Sequence, residues 1–247
     1  MSKLPISAVL ITKNEAHNLP RCIGSLGFCS EVIVLDSGST DDTVSVAESL
    51  GATVHETQDW PGFGPQKNRA LSYATQSWVL SIDADEWIEP KLFESICLHV
   101  KNKTAAASVL RSSTFCGHRV RHSGWGDDWV LRLFRHGSAK FSDDLVHERV
   151  IAQGPHIKLE GCMGHETYRT VSEAVSKMNQ YSSAWAEQRA GQEGPSVGKI
   201  IVKTGFAFFR TYFLKAGWLD GAVGFHIARL NALGTYLKYT KLSFNSR

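Results

Sequence analysis

The chain has 247 residues, 43% of them hydrophobic and 21% charged. That is enough apolar material for one large core, and it argues against intrinsic disorder. The net charge of +3 is uneven, since residues 199–247 carry eight Lys/Arg against one Asp while the remainder is mildly acidic; this argues against a nucleic-acid binder and points to an anionic surface as the tail's partner.

Residues 6–11 read as a buried first strand, followed by Thr12-Lys13-Asn14-Glu15 and a helical stretch to about Leu26. Residues 31–35 read as a second buried strand ending at Asp36-Ser37-Gly38-Ser39, with a helix over 41–50 for which Ser39 and Asp42 form a capping box. A short strand over 52–55, a helix over 66–73, a strand over 78–82 and a helix over 90–100 complete an alternating pattern that predicts a largely parallel sheet. Strands are expected over 105–110 and 130–134, then helices over 171–190, 197–216 and 222–239, with a linker at Gly191-Gln192-Glu193-Gly194-Pro195. Five scattered cysteines without a C-x-x-C pair argue against zinc and a disulfide framework and fit a reducing cytoplasm. No signal peptide is visible at the N-terminus, and no apolar run is long enough to span a bilayer.

The most informative residues are Asp83-Ala84-Asp85-Glu86, directly after the apolar strand that ends at Ile82. Open α/β sheets bind ligands at the carboxyl ends of their strands, and paired carboxylates there suit Mg²⁺ or Mn²⁺ arriving with a diphosphate. The segments after the first two strands fall at the same edge, where their side chains can meet a base and a ribose. A dinucleotide-binding G-x-G-x-x-G after the first strand is absent.

In this order and spacing, Thr-x-Asn-Glu at 12–15, Asp-Ser-Gly-Ser-x-Asp at 36–41 and Asp-x-Asp-Glu at 83–86 resemble family 2 glycosyltransferases of the GT-A fold. Three further runs, Gly62-Phe63-Gly64-Pro65-Gln66-Lys67-Asn68, Arg132-Leu133-Phe134-Arg135 and Val146-His147-Glu148, are similar to a small bacterial subgroup that builds lipopolysaccharide core, some members being β-glucosyltransferases. The resemblance implies an α/β GT-A (Rossmann-like) mixed, mainly parallel sheet flanked by helices. It assigns residues 1–170 to the nucleotide-sugar-binding and catalytic domain and leaves 171–247 as a helical, basic, amphipathic extension. It also implies inverting transfer of a hexose, with UDP-glucose favoured, to an anionic glycolipid, assisted by a divalent cation.

By the same resemblance Thr12, Asn14, Glu15, Asp36 and Ser37 line the nucleoside side, Lys67 and Asn68 approach the donor, Asp83 meets the ribose or the metal's water shell, and Asp85 ligates the metal. His165 is a candidate further ligand. A solvated helix face is the plainer account of Lys67. Glu148 is the candidate base that takes the acceptor's proton, with Asp143 and Asp144 as rivals; related enzymes usually carry an acidic pair ending in Asp where this chain has His-Glu. In the Arg-, His- and Trp-rich stretch from 111 to 136, Trp125 and Trp129 offer flat faces to a sugar ring, and Arg132 and Arg135 offer forked donors to phosphate or carboxylate. The tail interleaves apolar and cationic residues as an interfacial helix does, which predicts a protein peripheral on the inner face of the cytoplasmic membrane. Other readings are a phosphohydrolase of the haloacid-dehalogenase type, a sugar nucleotidyltransferase, and a non-catalytic sugar-nucleotide-binding module.

Overall fold

The computed structural model describes residues 3–102, 105–126, 128–142 and 148–245. The chain forms two compact units, Met1–Arg111 with Asp127–His165, and Ser112–Gly126 with Glu166–Arg247. The second unit therefore takes in an excursion, 112–126, that a single cut near residue 170 does not contain.

In chain order the elements are β1 (Leu4–Thr12), α1 (Leu19–Gly24), β2 (Cys29–Asp36), α2 (Thr43–Ser49), β3 (Thr53–Glu56), α3 (Phe63–Leu71), β4 (Trp78–Ser81), β5 (Glu86–Ile88) and α4 (Pro90–Asn102). There follow β6 (Ala106–Phe115), β7 (His118–Arg119), β8 (Asp128–Arg135), β9 (Ala139–Phe141), β10 (Val150–Ala152), β11 (His156–Tyr168), α5 (Val171–Glu187), α6 (Val197–Phe209) and α7 (Gly221–Asn245).

The main sheet is mixed, in the order β3-β2-β1-β4-β8-β6-β11-β5. Its first four strands pair in parallel; β8 runs antiparallel to β4 and to β6, and β11 antiparallel to β5. Of the parallel strands, β1, β2 and β4 are largely buried on both faces, which is why they read as unbroken apolar runs. Ile6, Ala8, Leu10, Val34 and Leu80 pack with Leu92 and Ile96 of α4, whereas Val9, Ile33, Leu35 and Val79 pack with Ala70 of α3.

Register brings the functional segments together. Thr12 pairs with Asp36 at the ends of β1 and β2, and Val9 pairs with Ser81, the last residue of β4. The carboxyl ends of all three strands thus share one edge. In the β4–β8 ladder Leu80 lies opposite Leu133, so Arg132 sits beside that edge, and Trp78 lies opposite Arg135 at the other end of β4.

β11 carries Gly161 at φ +89°, where an added Cβ would come within 2.3 Å of the Leu92 backbone nitrogen. A glycine at such a place in a strand lets another backbone approach closely.

In the second unit α5, α6 and α7 pack together. The helix expected over 197–216 stops early. Arg210–Leu214 forms a π turn, closed by Lys215 N donating to Arg210 O at 2.8 Å, and Ala216 adopts φ +51°. A 3₁₀ turn, Gly217–Asp220, then lies so close to α7 that a Cβ on Gly224 would be 1.8 Å from Gly217 O. Asp220 fixes the 112–126 excursion by accepting from the backbone N–H groups of Arg121 and His122 and from Ser123 Oγ.

Candidate active site

Thr12 and Asp36 end neighbouring strands, and their side chains meet at 2.9 Å, Thr12 Oγ1 donating to Asp36 Oδ2. Asp36 Oδ1 accepts from Ser39 N at 2.8 Å, and the Ser39 hydroxyl also donates to Asp36. Ser39 is therefore not the cap of α2 that its spacing predicts; its hydroxyl accepts from Asn14 N instead. Asn14, at φ +59°, accepts Thr40 N on its side-chain oxygen, and Glu15 N donates to Thr43 Oγ1. Ser37 Oγ accepts from Gln66 Nε2 of α3. The two loops after β1 and β2 are thus laced into one preformed wall. The Asp36 carboxylate is fully enclosed and holds that wall together, whereas the sequence reading places it against a base.

A chain of opposite charges runs along the carboxyl edge. Lys67 Nζ is 2.7 Å from Asp83 Oδ1 and 2.7 Å from Glu148 Oε1. Arg132 Nη2 is 2.6 Å from Asp83 Oδ2 and 2.7 Å from Glu86 Oε1. Arg111 reaches Glu86 at 3.5 Å and Asp128 at 2.6 Å. Lys67 is 6% exposed, which overturns the solvated helix face as its setting. Burial alone would depress the Lys67 ammonium, but Asp83, followed by Glu148, holds it above the usual lysine value. Burial likewise opposes ionisation of Asp83, and Arg132 and Lys67 outweigh it, so the Asp83 carboxyl is held far below the carboxylate range. Glu86 moves the other way: burial first, then the charges of Asp83 and Asp85, push it up against the pull of Arg132.

Asp85 stands outside this chain. Its Oδ2 lies 3.5 Å from His165 Nε2 of β11, and its side chain is 28% exposed. A carboxylate and an imidazole fit Mn²⁺ or Mg²⁺, which usually takes one or two protein carboxylates and completes its shell with water and substrate phosphate. Among the described residues no cluster of three His, Cys, Asp or Glu offers a complete protein cage. Three cations (Lys67, Arg132, Arg111) face five carboxylates (Asp83, Glu86, Glu148, Asp128, Asp85), so the ionised site is electronegative by two charges. The residues present therefore fit a divalent cation held at Asp85 and His165. Each oxygen of Asp83 lies against a cationic side chain, Lys67 or Arg132.

Other sequence-predicted residues are placed differently. Asn68 does not face the donor; its amide donates to Phe141 O at 2.9 Å and accepts from Phe141 N at 2.8 Å, fastening α3 to β9. Arg132 is buried, with its Nη2 committed to both Asp83 and Glu86, rather than presented at the surface to an acceptor. Arg135 lies over the Trp78 ring at 4.4 Å, at the opposite end of β4 from Asp83. Trp125 belongs to the second unit and packs at 6.3 Å from both Phe115 and Tyr168. Trp129 is half-buried on β8, with the Lys158 ammonium 4.4 Å from its ring. Asp143, Asp144 and the first two residues of the 146–148 motif lie outside the described residues. The sequence reading missed Glu86 and Arg111 as partners in the charge chain; Glu86 was visible only as an extra acid after the Asp-x-Asp pair.

Comparison with known proteins adds the following. The profile of Glycosyl transferase family 2 matches residues 7–151. The chain is 30% identical to the lipopolysaccharide core biosynthesis glycosyltransferase LpsC of Rhizobium meliloti, covering 97% of this chain and 92% of that protein. It is also 30% identical to an uncharacterized glycosyltransferase of Rickettsia conorii, covering 98% and 90%. Among solved structures, glucosyl-3-phosphoglycerate synthase from Mycobacterium tuberculosis, in complex with Mn²⁺, UDP and glucosyl-3-phosphoglycerate, is similar over 45% of this chain and 44% of its own, at 30% identity and a TM-score of 0.36.

The charge chain makes its own prediction. Replacing Arg132 by Met leaves Asp83 and Glu86 facing each other without their shared cation, at a cost of about 3–5 kcal/mol in urea unfolding. Glu86, already pushed up, is pushed further. A carboxyl that holds its proton more tightly folded than unfolded stabilises the fold at low pH and loses that contribution as pH rises. The variant's deficit, measured in EDTA, is therefore expected to shrink from pH 8 to pH 5. A deficit that grows as the pH falls would contradict the assignment.

Proposed function

We infer the reaction from one premise: the chain belongs to glycosyl transferase family 2. It is a glycosyltransferase, and membership sets aside the phosphohydrolase and nucleotidyltransferase readings. The substrate is proposed to be a nucleotide-sugar, with UDP-glucose favoured, and the acceptor an anionic glycolipid of the lipopolysaccharide inner-core kind. The observation that carries the reading is the placement of Asp85 with His165, and of Glu148 through Lys67, at one sheet edge beside the laced 12–15 and 36–41 wall.

In this reading the wall of Thr12, Asn14 and Glu15, kept in shape by Asp36 and Ser37, receives the nucleoside. Asp85 and His165 hold a divalent cation, which when bound supplies positive charge against the leaving diphosphate. Lys67 fixes the position of the Asp83 carboxylate, which is 29% exposed on its side chain and can accept a ribose hydroxyl. Glu148, 15% exposed, is the carboxylate that takes the proton from the attacking acceptor hydroxyl. Its ion pair with Lys67 links the position of the base to that of the donor-side carboxylate. Attack on the face of the sugar away from the diphosphate inverts the anomeric carbon. Trp129 offers a ring to the acceptor sugar.

The second unit is proposed to rest on the membrane. Ile201 (66%), Val202 (70%) and Phe213 (53%) are exposed, with Lys199, Arg210 and Lys215 among them. That combination suits an interface helix over anionic headgroups. No helix among the described residues is long and apolar enough to cross a bilayer.

Asp85→Ala is expected to abolish Mn²⁺-dependent UDP binding and to lower transfer by about 10³-fold or more. Glu148→Gln is expected to keep donor affinity within about threefold while kcat falls by about 10²–10⁴-fold. Isothermal titration with UDP and Mn²⁺, alongside a transfer assay, reads both; ordinary turnover in either variant removes that residue from the mechanism. For the membrane, the exposed-site double variant Ile201→Ser/Phe213→Ser should co-sediment with phosphatidylglycerol liposomes at least about tenfold less than wild type. Equal sedimentation would refute the interfacial face.

A further inference from the structure

Within the second unit a groove of about 830 Å³ opens between α7, α6 and the β6–β7 turn. Its walls are apolar: Phe115, Val171, Val223, Leu230, Leu233 and Tyr236. The volume falls in the range of about 300–1,000 Å³ typical of small-molecule sites, which pair apolar walls with a few placed polar groups. Here those groups are Arg229, His118 and His226, and no acidic residue lines the groove. Arg229 and His226 share one stripe of α7 with Leu233, at three- and four-residue spacing. Thr204 of α6 also lines it, and its hydroxyl oxygen is buried with no hydrogen-bond partner among the described residues. A buried hydroxyl is normally paired, so Thr204 is an unsatisfied polar group in the wall of this groove.

We propose that this groove binds one acyl chain of an anionic lipid, with Arg229 and the two histidines at the phosphate. In the proposed reaction that lipid is the acceptor, so the inference rests on the glycolipid reading and adds a site that holds the acceptor by its lipid part. A pure anion site would not need apolar walls, and a docked apolar helix would leave Arg229 facing a hydrocarbon surface. The lining matches a chain with a charged head.

The test is calorimetric and needs no turnover. Full-length protein is titrated, below micelle formation, with monolauroyl glycerol phosphate, with its uncharged relative monolaurin, and with glycerol 3-phosphate. The first is expected to bind once per chain, monolaurin at least about tenfold more weakly, and glycerol 3-phosphate not measurably, since each buried methylene contributes to the affinity. Arg229→Gln should bring the phosphate lipid to monolaurin's level. Leu233→Trp, at a site 41% exposed and so tolerant of a larger side chain, should fill the groove and remove binding of both amphiphiles. The proposal is overturned if glycerol 3-phosphate binds as tightly as its lauroyl ester, if Leu233→Trp binds like wild type, or if many lipids adsorb per chain. It is also overturned if the wild type sediments as a dimer that Leu233→Trp dissociates, which would give the groove to a second copy. Failure of binding here leaves the transferase reading standing, because that reading is judged by transfer and by the Asp85 and Glu148 variants.

Discussion

Asp83 is a carboxylate gripped by two cations, and the arrangement of the active edge follows from that grip. Lys67 comes from α3, Arg132 from β8, and both converge on the residue two past the end of β4. Each cation then reaches a second acid, Glu148 or Glu86, so one carboxylate fixes the relative places of a helix, two strands and the segment leading into β10. Buried pairs of this kind lose much of their attraction to desolvation, and an apolar replacement is often no less stable. Stability alone is thus a poor account of why such a chain of charges lines a ligand edge. Its value under the proposed reaction is positional.

The grip also divides the work between two acids one residue apart. Each oxygen of Asp83 is paired with a cation of the protein itself. Asp85 lies outside those pairs, with its side chain 28% exposed and an imidazole beside it. An Asp-x-Asp pair is easily taken as a pair of metal ligands; here the geometry pairs the first with Lys67 and Arg132 and leaves the second outside that charge chain, beside His165. The excess of negative charge that remains at the edge favours a divalent ion over a further lysine or arginine.

Much of this was legible in the chain. The runs at 6–11, 31–35 and 78–82 announce strands buried on both faces, and the polar segments behind them had to share an edge once the strands were parallel. The thirteen-residue β11 was not legible. Its stretch HIKLEGCMGHETY has glycines at 161 and 164 and no sustained alternation, and it is held in the sheet by partners distant in sequence. The burial of Lys67 and of Arg132 was hidden for a related reason. Local periodicity assigns a lysine on a helix to solvent and an arginine near tryptophans to a ligand, yet tertiary pairing with Asp83 buries both. Arg135 followed from the same error, since only the antiparallel register of β8 on β4 shows it to lie at the far end of the sheet. The helix expected over 197–216 was right in kind and wrong in extent, because the π turn after Phe209 and the close packing of Gly217 on Gly224 of α7 leave no pattern in hydrophobicity.

The division of labour between the two acids can be measured directly by following Mn²⁺ binding in the presence of UDP, by electron paramagnetic resonance, in Asp83→Asn and Asp85→Asn. The account predicts that Asp85→Asn loses the bound manganese signal. It predicts that Asp83→Asn keeps that signal within about threefold of the wild-type affinity while unfolding at lower urea, because it strips Lys67 and Arg132 of their shared anion. Loss of manganese in Asp83→Asn with retention in Asp85→Asn would contradict it.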